Sequence, residues 1–311
     1  MSGVVIIINP KSGPKRRGTG AERVEIASRT LQRLGVKGEI RLTERAGHAH
    51  DLALEAADSH AQLVMAWGGD GTINEVGRAL VQRVDAGTAA TTADSAFNHV
   101  ALPALGIIPG GSGNGLARDL GIPFDPARAI EHALSAKSRR IDAGELGDRL
   151  FFNVAGIGLD AHVAALVTTR VHHRGLMPYL RASAADLLRY QPAEYILEMD
   201  GRTSETSAIV LAFANSTQWG FGAHIAPGAD LEDGLIDLVV VRDCGLVGNM
   251  LRVPSLFTRR IRGRRGVDSH RVREVTIRSR EPMLFHVDGE AAQGSNTLIA
   301  RVHPRALQLR A

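Results

Sequence analysis

Three glycine-rich stretches carry the residues best suited to chemistry: Asn9-Pro10-Lys11-Ser12-Gly13, Gly68-Gly69-Asp70-Gly71-Thr72 and Pro109-Gly110-Gly111-Ser112-Gly113-Asn114-Gly115. Glycine lets a backbone approach an anion closely, and the free N–H groups at a helix start attract one. A single stretch of this kind reads equally well as a tight turn. Three of them, each following an apolar run of strand length, point to a phosphate chain. Asp70 adds a further requirement. A carboxylate inside a phosphate-binding loop repels its ligand unless a divalent cation lies between them, which calls for a Mg²⁺-nucleotide and chemistry at the phosphate. The same residue also suits a helix N-cap. Two familiar loop patterns do not fit. Gly13 and Gly18 have Walker spacing, but Thr19 stands where the lysine belongs, and the stretch 110–115 lacks the closing glycine of a dinucleotide fingerprint.

Such residues need a scaffold that brings all three loops to one edge. With 311 residues the chain exceeds a typical domain of ~100–200 residues, so two domains are expected. In the first half, apolar runs at 4–8, 39–42, 63–67 and 105–108 alternate with helical patterns. One helix carries Val24, Ala27, Leu31 and Leu34 on one face, a second Ala49, Leu52, Ala53, Ala56 and Ala57, a third Ile73, Val76 and Leu80. Residues 85–100 read as a loop. This alternation predicts a doubly wound α/β domain over residues 1–137, with ligands at the carboxyl ends of its strands. The second half, 138–311, reads as a β-rich domain. Its strands are expected at 151–154, 194–199, 208–214, 235–241, 272–278, 284–287 and 298–302, with a hairpin turn at Asp200-Gly201 and helices near 177–190 and 247–257. The extreme C-terminus is allowed to return to the first domain.

Composition narrows the class. Hydrophobic residues at 44% and charged residues at 23% are those of a globular protein. The net charge of +4 permits an anionic partner without choosing one. A lone cysteine excludes a disulfide framework and a thiolate-rich zinc site. Aromatic residues at 4% argue against base-stacking RNA sheets, and no motif points to nucleic acid. No run reaches the ~18 apolar residues of a membrane span, and residues 4–8 read as a buried strand rather than a signal peptide, so a cytoplasmic protein is expected.

Taken in order, the three loops resemble the catalytic domain of the diacylglycerol kinase family, which includes soluble bacterial lipid kinases, sphingosine kinases and ceramide kinases. The second loop continues the likeness through Ile73-Asn74-Glu75. It extends to Gly156-Ile157-Gly158-Leu159-Asp160-Ala161, Leu231-Glu232-Asp233-Gly234-Leu235 and Asp288-Gly289-Glu290. The resemblance implies an N-terminal domain similar to those of 6-phosphofructokinases and NAD kinases, a C-terminal β-sandwich that carries the lipid, and ATP with Mg²⁺ as cofactors. It places residues 9–13, Thr43, Gly68, Gly69, Asp70, Gly71, Thr72, Asn74, Glu75, Gly111, Ser112 and Asn114 at the nucleotide, with Asp70 positioning Mg²⁺. Glu290 matches a proposed general base, a role that some members give to the aspartate corresponding to Asp70. Asp230, Asp233 and Leu235 match a structural Mg²⁺ site of bacterial members, or else form a plain Asp-Gly turn. Gly115 replaces the acidic residue usual in bacterial diacylglycerol kinases. It brings sphingoid bases and ceramide beside diacylglycerol as candidate acceptors, with Asp160 as a possible partner for a lipid amine. An NAD kinase-like enzyme and a non-catalytic lipid- or nucleotide-binding regulator are the alternatives.

A bilayer substrate requires peripheral contact with the inner face of the membrane. Arg259, Arg260, Arg262, Arg264 and Arg265, with Phe257 and Ile261 beside them, are the expected docking segment, against the reading of a solvated basic loop. Lys11, Lys15, Arg16 and Arg17 are assigned to ATP, and an exposed β-rich edge leaves room for a homodimer.

Overall fold

The run Val4–Ile8 is buried along its whole length, as a strand covered on both faces must be. In the computed structural model, which describes residues 3–13, 18–90, 103–170 and 190–311, this strand (β1) is paired along both of its edges. The chain divides into two compact units, Met1–Ile141 with Arg305–Ala311, and Asp142–Pro304.

The first unit runs β1, α1 (Gly20–Arg33), β2 (Gly38–Leu42), α2 (His48–Asp58), β3 (Leu63–Gly68), α3 (Asp70–Ala90), β4 (Ala104–Pro109), α4 (Gly115–Asp119) and α5 (Pro126–Ser135). Its strands are parallel in the order β2-β1-β3-β4. The order reverses between β1 and β3, and such a switch point is where open α/β sheets bind ligands. Register sharpens this. Ile8 lies opposite both Leu42 and Trp67, Trp67 opposite Ile108, and Gly68 opposite Pro109, so the loops after all four strands start at one level. Helix α2 buries the five expected residues. Helix α1 differs from expectation: its inward residues are Arg23, Ala27, Thr30 and Leu31, while Leu34 is exposed. Thr19, at the Walker lysine position, caps this helix in a reciprocal capping box with Glu22. Helix α3 also corrects the sequence reading, because it continues through Ala90 where a loop is expected from residue 85.

The second unit contains β5 (Ser138–Leu146), which begins in the first, then β6 (Arg149–Phe151), β7 (Val154–Gly158), α6 (Leu159–Arg170), β8 (Ala193–Met199), β9 (Arg202–Ala208), β10 (Val210–Ala214), β11 (Gln218–Gly220), β12 (Ala223–His224), β13 (Ile236–Val241), α7 (Gly245–Phe257), β14 (Val267–Val272), β15 (Glu274–Ser279), β16 (Leu284–Val287), β17 (Glu290–Gln293) and β18 (Thr297–Arg310). An antiparallel sheet β14-β13-β10-β7-β16-β17 faces strands β18, β15, β8 and β9. Their shared core includes Phe151, Ile157, Leu197, Leu211, Phe213, Leu238, Ile277, Phe285 and Leu298. Alternation along β13 sends Leu238 and Val240 into this core, and Val239 and Val241 into a second cluster on the opposite face. Asp200 and Gly201, at φ 50° and 69°, form the turn between β8 and β9. Ile261 is 3% exposed within the second cluster, so it is core and not the inserting residue expected beside the arginines. Residues 15–17 and the expected helix near 177–190, apart from its last residue, lie outside the described residues. The doubly wound α/β unit followed by a β-sandwich is the fold class read from the sequence.

Candidate active site

In the first unit the three glycine loops converge. Asn9 begins the first, accepts the Lys11 N–H on Oδ1 at 3.0 Å, and donates from Nδ2 to Thr72 Oγ1 of the second loop at 3.0 Å. The Gly110 N–H of the third loop donates to Gly68 O at 2.7 Å. A Cβ at Gly111 would stand 2.4 Å from Gly69 Cα, closer than real atoms approach. A Cβ at Gly68 would stand 2.4 Å from Thr72 Cβ and Oγ1. Glycine is therefore required at Gly111 by backbone proximity and at Gly68 by the Thr72 side chain, and the glycines leave main-chain atoms open along this edge.

The third loop is closed by Asn114, a fully buried residue at φ 49°, which accepts the Gly111 N–H at 2.9 Å and donates to Gly111 O at 2.8 Å. Asparagine tolerates this left-handed backbone better than most residues. Its amide thus shapes the loop. Ser112 Oγ is buried and finds no hydrogen-bond partner among the described residues. Such an atom is costly unless a ligand completes it. Asp70 opens helix α3, where the dipole favours a negative group.

Two residues of the set hold the scaffold together. Thr43 is buried, and its N–H donates to Ile8 O at 2.9 Å. Glu75 accepts the N–H groups of Gly47 and Ala49, both at 3.0 Å, so its carboxylate caps the start of α2. Sequence reading missed Arg23. Its Nη1 donates to Asn9 O and Ser12 Oγ, and its Nη2 to Ser12 O, each at 2.7 Å, while the guanidinium sits 5.9 Å from the Trp67 ring centroid. A buried cation beneath the first loop both shapes it and favours anions above it. The available signal was a charged residue in phase with Ala27, Thr30 and Leu31.

In the second unit, Glu290 starts β17 and is exposed. It follows a turn that is tightly held. Asp288, at φ 49°, accepts the N–H groups of Phe152, Asn153 and Val154 at 3.0, 2.9 and 3.2 Å. The Gly289 N–H donates to His286 Nδ1 at 3.3 Å, and His286 Nε2 lies 3.2 Å from Asp160 Oδ2. Because Nδ1 accepts, Nε2 carries the proton that binds the carboxylate. Asp160 and His286 are 8% and 5% exposed. A Cβ at Gly156 would meet Asp160 Oδ2 at 1.9 Å, so glycine at that position admits the aspartate. Burial pushes the pKa of the Tyr195 and Tyr190 phenols up, and the Asp160 charge adds to the rise, so both phenols keep their protons.

The 230–235 turn is internally satisfied. Asp230 Oδ1 accepts the Glu232 N–H at 3.0 Å, and Asp233 Oδ1 the Leu235 N–H at 2.9 Å. Asp233 Oδ2 pairs with Arg271. A cation at the Asp233 carboxylate would share it with the Arg271 guanidinium. The first-unit loops fit a Mg²⁺-nucleotide: they supply an edge of open main-chain atoms, an unpartnered hydroxyl at Ser112, and a hard carboxylate at Asp70.

Residues 3–146 match the diacylglycerol kinase catalytic domain, and residues 153–311 match the YegS C-terminal NAD kinase beta sandwich-like domain. A Chromohalobacter salexigens protein named "Probable lipid kinase YegS-like" is 32% identical over 88% of this chain and 83% of its own length. A Bacillus subtilis protein named "Diacylglycerol kinase" is 28% identical over 92% and 88%. A crystal structure of a Bacillus anthracis diacylglycerol kinase shares the fold, with a TM-score of 0.69 at 18% identity, covering 99% of this chain and 96% of that one. The chain belongs to the lipid kinase family defined by a diacylglycerol kinase catalytic domain followed by a YegS-type C-terminal domain.

Proposed function

We propose that this protein transfers the γ-phosphoryl group of ATP to the hydroxyl of a membrane diacylglycerol, working as a peripheral protein at the bilayer surface. The observation that carries the reading is the convergence of the three glycine loops at the sheet's switch point, with Gly69 and Gly111 in backbone contact. Such an edge suits a phosphate chain, and the Arg23 guanidinium beneath it adds positive charge. Asp70 would hold Mg²⁺, which supplies charge neutralisation at the phosphates when bound.

The reaction needs the acceptor O–H to lose its proton as its oxygen bonds to the γ-phosphorus, while the bond to the β,γ-bridging oxygen breaks and ADP leaves. Glu290 is assigned to take that proton. Its turn is held by Asp288 from one side and by His286 from the other, with Asp160 fixing the His286 tautomer. Asp160 is thus a positioning residue, and its occupied carboxylate favours a neutral acceptor over a sphingoid amine.

The test offers diacylglycerol, monoacylglycerol, sphingosine, ceramide and phosphatidylglycerol separately in mixed micelles with γ-labelled ATP and Mg²⁺, and NAD as a soluble control. Label is expected in diacylglycerol. Label in NAD alone, or ATP binding with no turnover, would overturn the proposal. Glu290→Gln should lower kcat by about 10²–10⁴-fold with the KM for ATP nearly unchanged. Loss of ATP affinity alone would remove Glu290 as the base and return that role to Asp70, whose Asp70→Asn variant should be inactive but folded.

A further inference from the structure

Helix α7 is built inside out. Its buried positions are Asn249, Arg252 and Ser255, whereas Leu246, Val247, Met250, Leu251 and Phe257 are 50, 72, 49, 72 and 44% exposed. At 3.6 residues per turn the exposed five share one arc of roughly 140°. Polar bonds hold the inner face. Arg252 Nη2 donates to Arg242 O at 2.9 Å and Nη1 to Gly266 O at 3.3 Å, while Asn249 Nδ2 donates to Asp243 Oδ1 at 2.6 Å. A surface helix normally turns its apolar stripe inward. Here the stripe faces outward, and among the described residues Val247 and Leu251 stay mostly uncovered, as a surface kept for a partner would.

The residues that follow limit the choice of partner. Arg259, Arg260, Arg262, Arg264 and Arg265 are all exposed, and no acidic residue occurs between Asp243 and Asp268. We infer that the α7 face and this arginine run form one docking surface for an anionic lipid bilayer. An apolar stripe lying in the interface with arginines at the headgroups matches what a bilayer offers at those two depths. A second copy of this chain is disfavoured, because the same segment of the copy would bring no acidic residue to meet the arginine run. The inference rests on the lipid kinase reading in one respect: a bilayer acceptor gives the enzyme a reason to dock.

Co-sedimentation would use vesicles of phosphatidylcholine with or without phosphatidylglycerol, comparing the wild type with Val247→Glu/Leu251→Glu and with Arg260→Glu/Arg264→Glu/Arg265→Glu. The wild type should pellet with anionic vesicles and be released by salt, and each variant should bind at least ~tenfold more weakly. Melting temperature, and phosphorylation of a short-chain diacylglycerol dissolved below its micelle concentration, should stay as in the wild type. Equal sedimentation of variants and wild type would overturn the inference. So would a wild-type dimer that the variants convert to monomer with vesicle binding unchanged. Failure of the kinase reading shows separately, as absence of transfer to the soluble acceptor by the wild type.

Discussion

Burying a guanidinium is costly unless its donors are met, and Arg23, 1% exposed, places two of its nitrogens on the first loop. A lysine there would keep the charge but lose the planar fork that reaches Asn9 O, Ser12 Oγ and Ser12 O together. Arg23→Lys should therefore raise the KM for ATP about tenfold or more, since one charge-assisted bond is worth ~1.5–3 kcal/mol, with a smaller change in kcat. Steady-state kinetics with ATP varied at saturating lipid measures this, and an unchanged KM would show that the loop holds its shape without the clamp. Arg23 was not legible in the sequence because apolar periodicity favoured Val24 and Leu34, and a charged side chain in the first turn reads as solvated. Asp288 was hidden in another way. Asp-Gly is a good turn pair, and nothing local shows that its carboxylate collects three N–H groups from residues more than 130 positions away. The glycines and Asp70 were legible because phosphate chemistry fixes residue types at short spacing.

Loops and strands obey a different constraint, that of backbone proximity. A Cβ at Gly111 would stand 2.4 Å from Gly69 Cα, a backbone atom that cannot rotate away. Gly111→Ala should push the second and third loops apart. Expected outcomes are a melting temperature lower by several degrees, from roughly 1–3 kcal/mol of overpacking, and loss of the ATP-induced thermal shift. A normal shift would mean that the two loops are not the nucleotide cradle. At this scale the parallel strands were readable, because strands buried on both faces leave continuous apolar runs. Strand β9 was missed: in Arg202–Ala208 only Ala208 is buried, so no alternation marks it. The position of α7 was readable but its orientation was not, since period alone cannot say which face turns inward when buried arginine and asparagine are satisfied by carbonyl and carboxylate oxygens.

Strand β18 ties the whole molecule together covalently, because one strand serves both units. Its residues 297–301 pair with β15 in the second unit, whereas Leu309 and Arg310 pair in parallel with Leu105 and Gly106 of β4 in the first. Expectation placed a strand only over 298–302. The continuation passes Pro304 and Arg305, at φ 54°, which no strand propensity would favour. Beyond that irregularity, Leu307 and Leu309 are 1% and 0% exposed, Gln308 Nε2 donates to Ser138 Oγ at 2.8 Å, and Arg310 Nη1 donates to Leu134 O at 3.3 Å. Two fully buried leucines contribute about 3–6 kcal/mol together, a large part of the ~5–15 kcal/mol that stabilises a typical domain. A chain ending at Pro304 also leaves β4 as an unpaired edge. Calorimetry of that truncated chain should show the first unit unfolding early and the stabilisation by ATP lost, while the second unit keeps most of its own transition. A truncated chain that melts like the full one and still responds to ATP would show that the first unit does not depend on its last strand. The placement of the final seven residues with the first unit would then be structural detail without energetic weight.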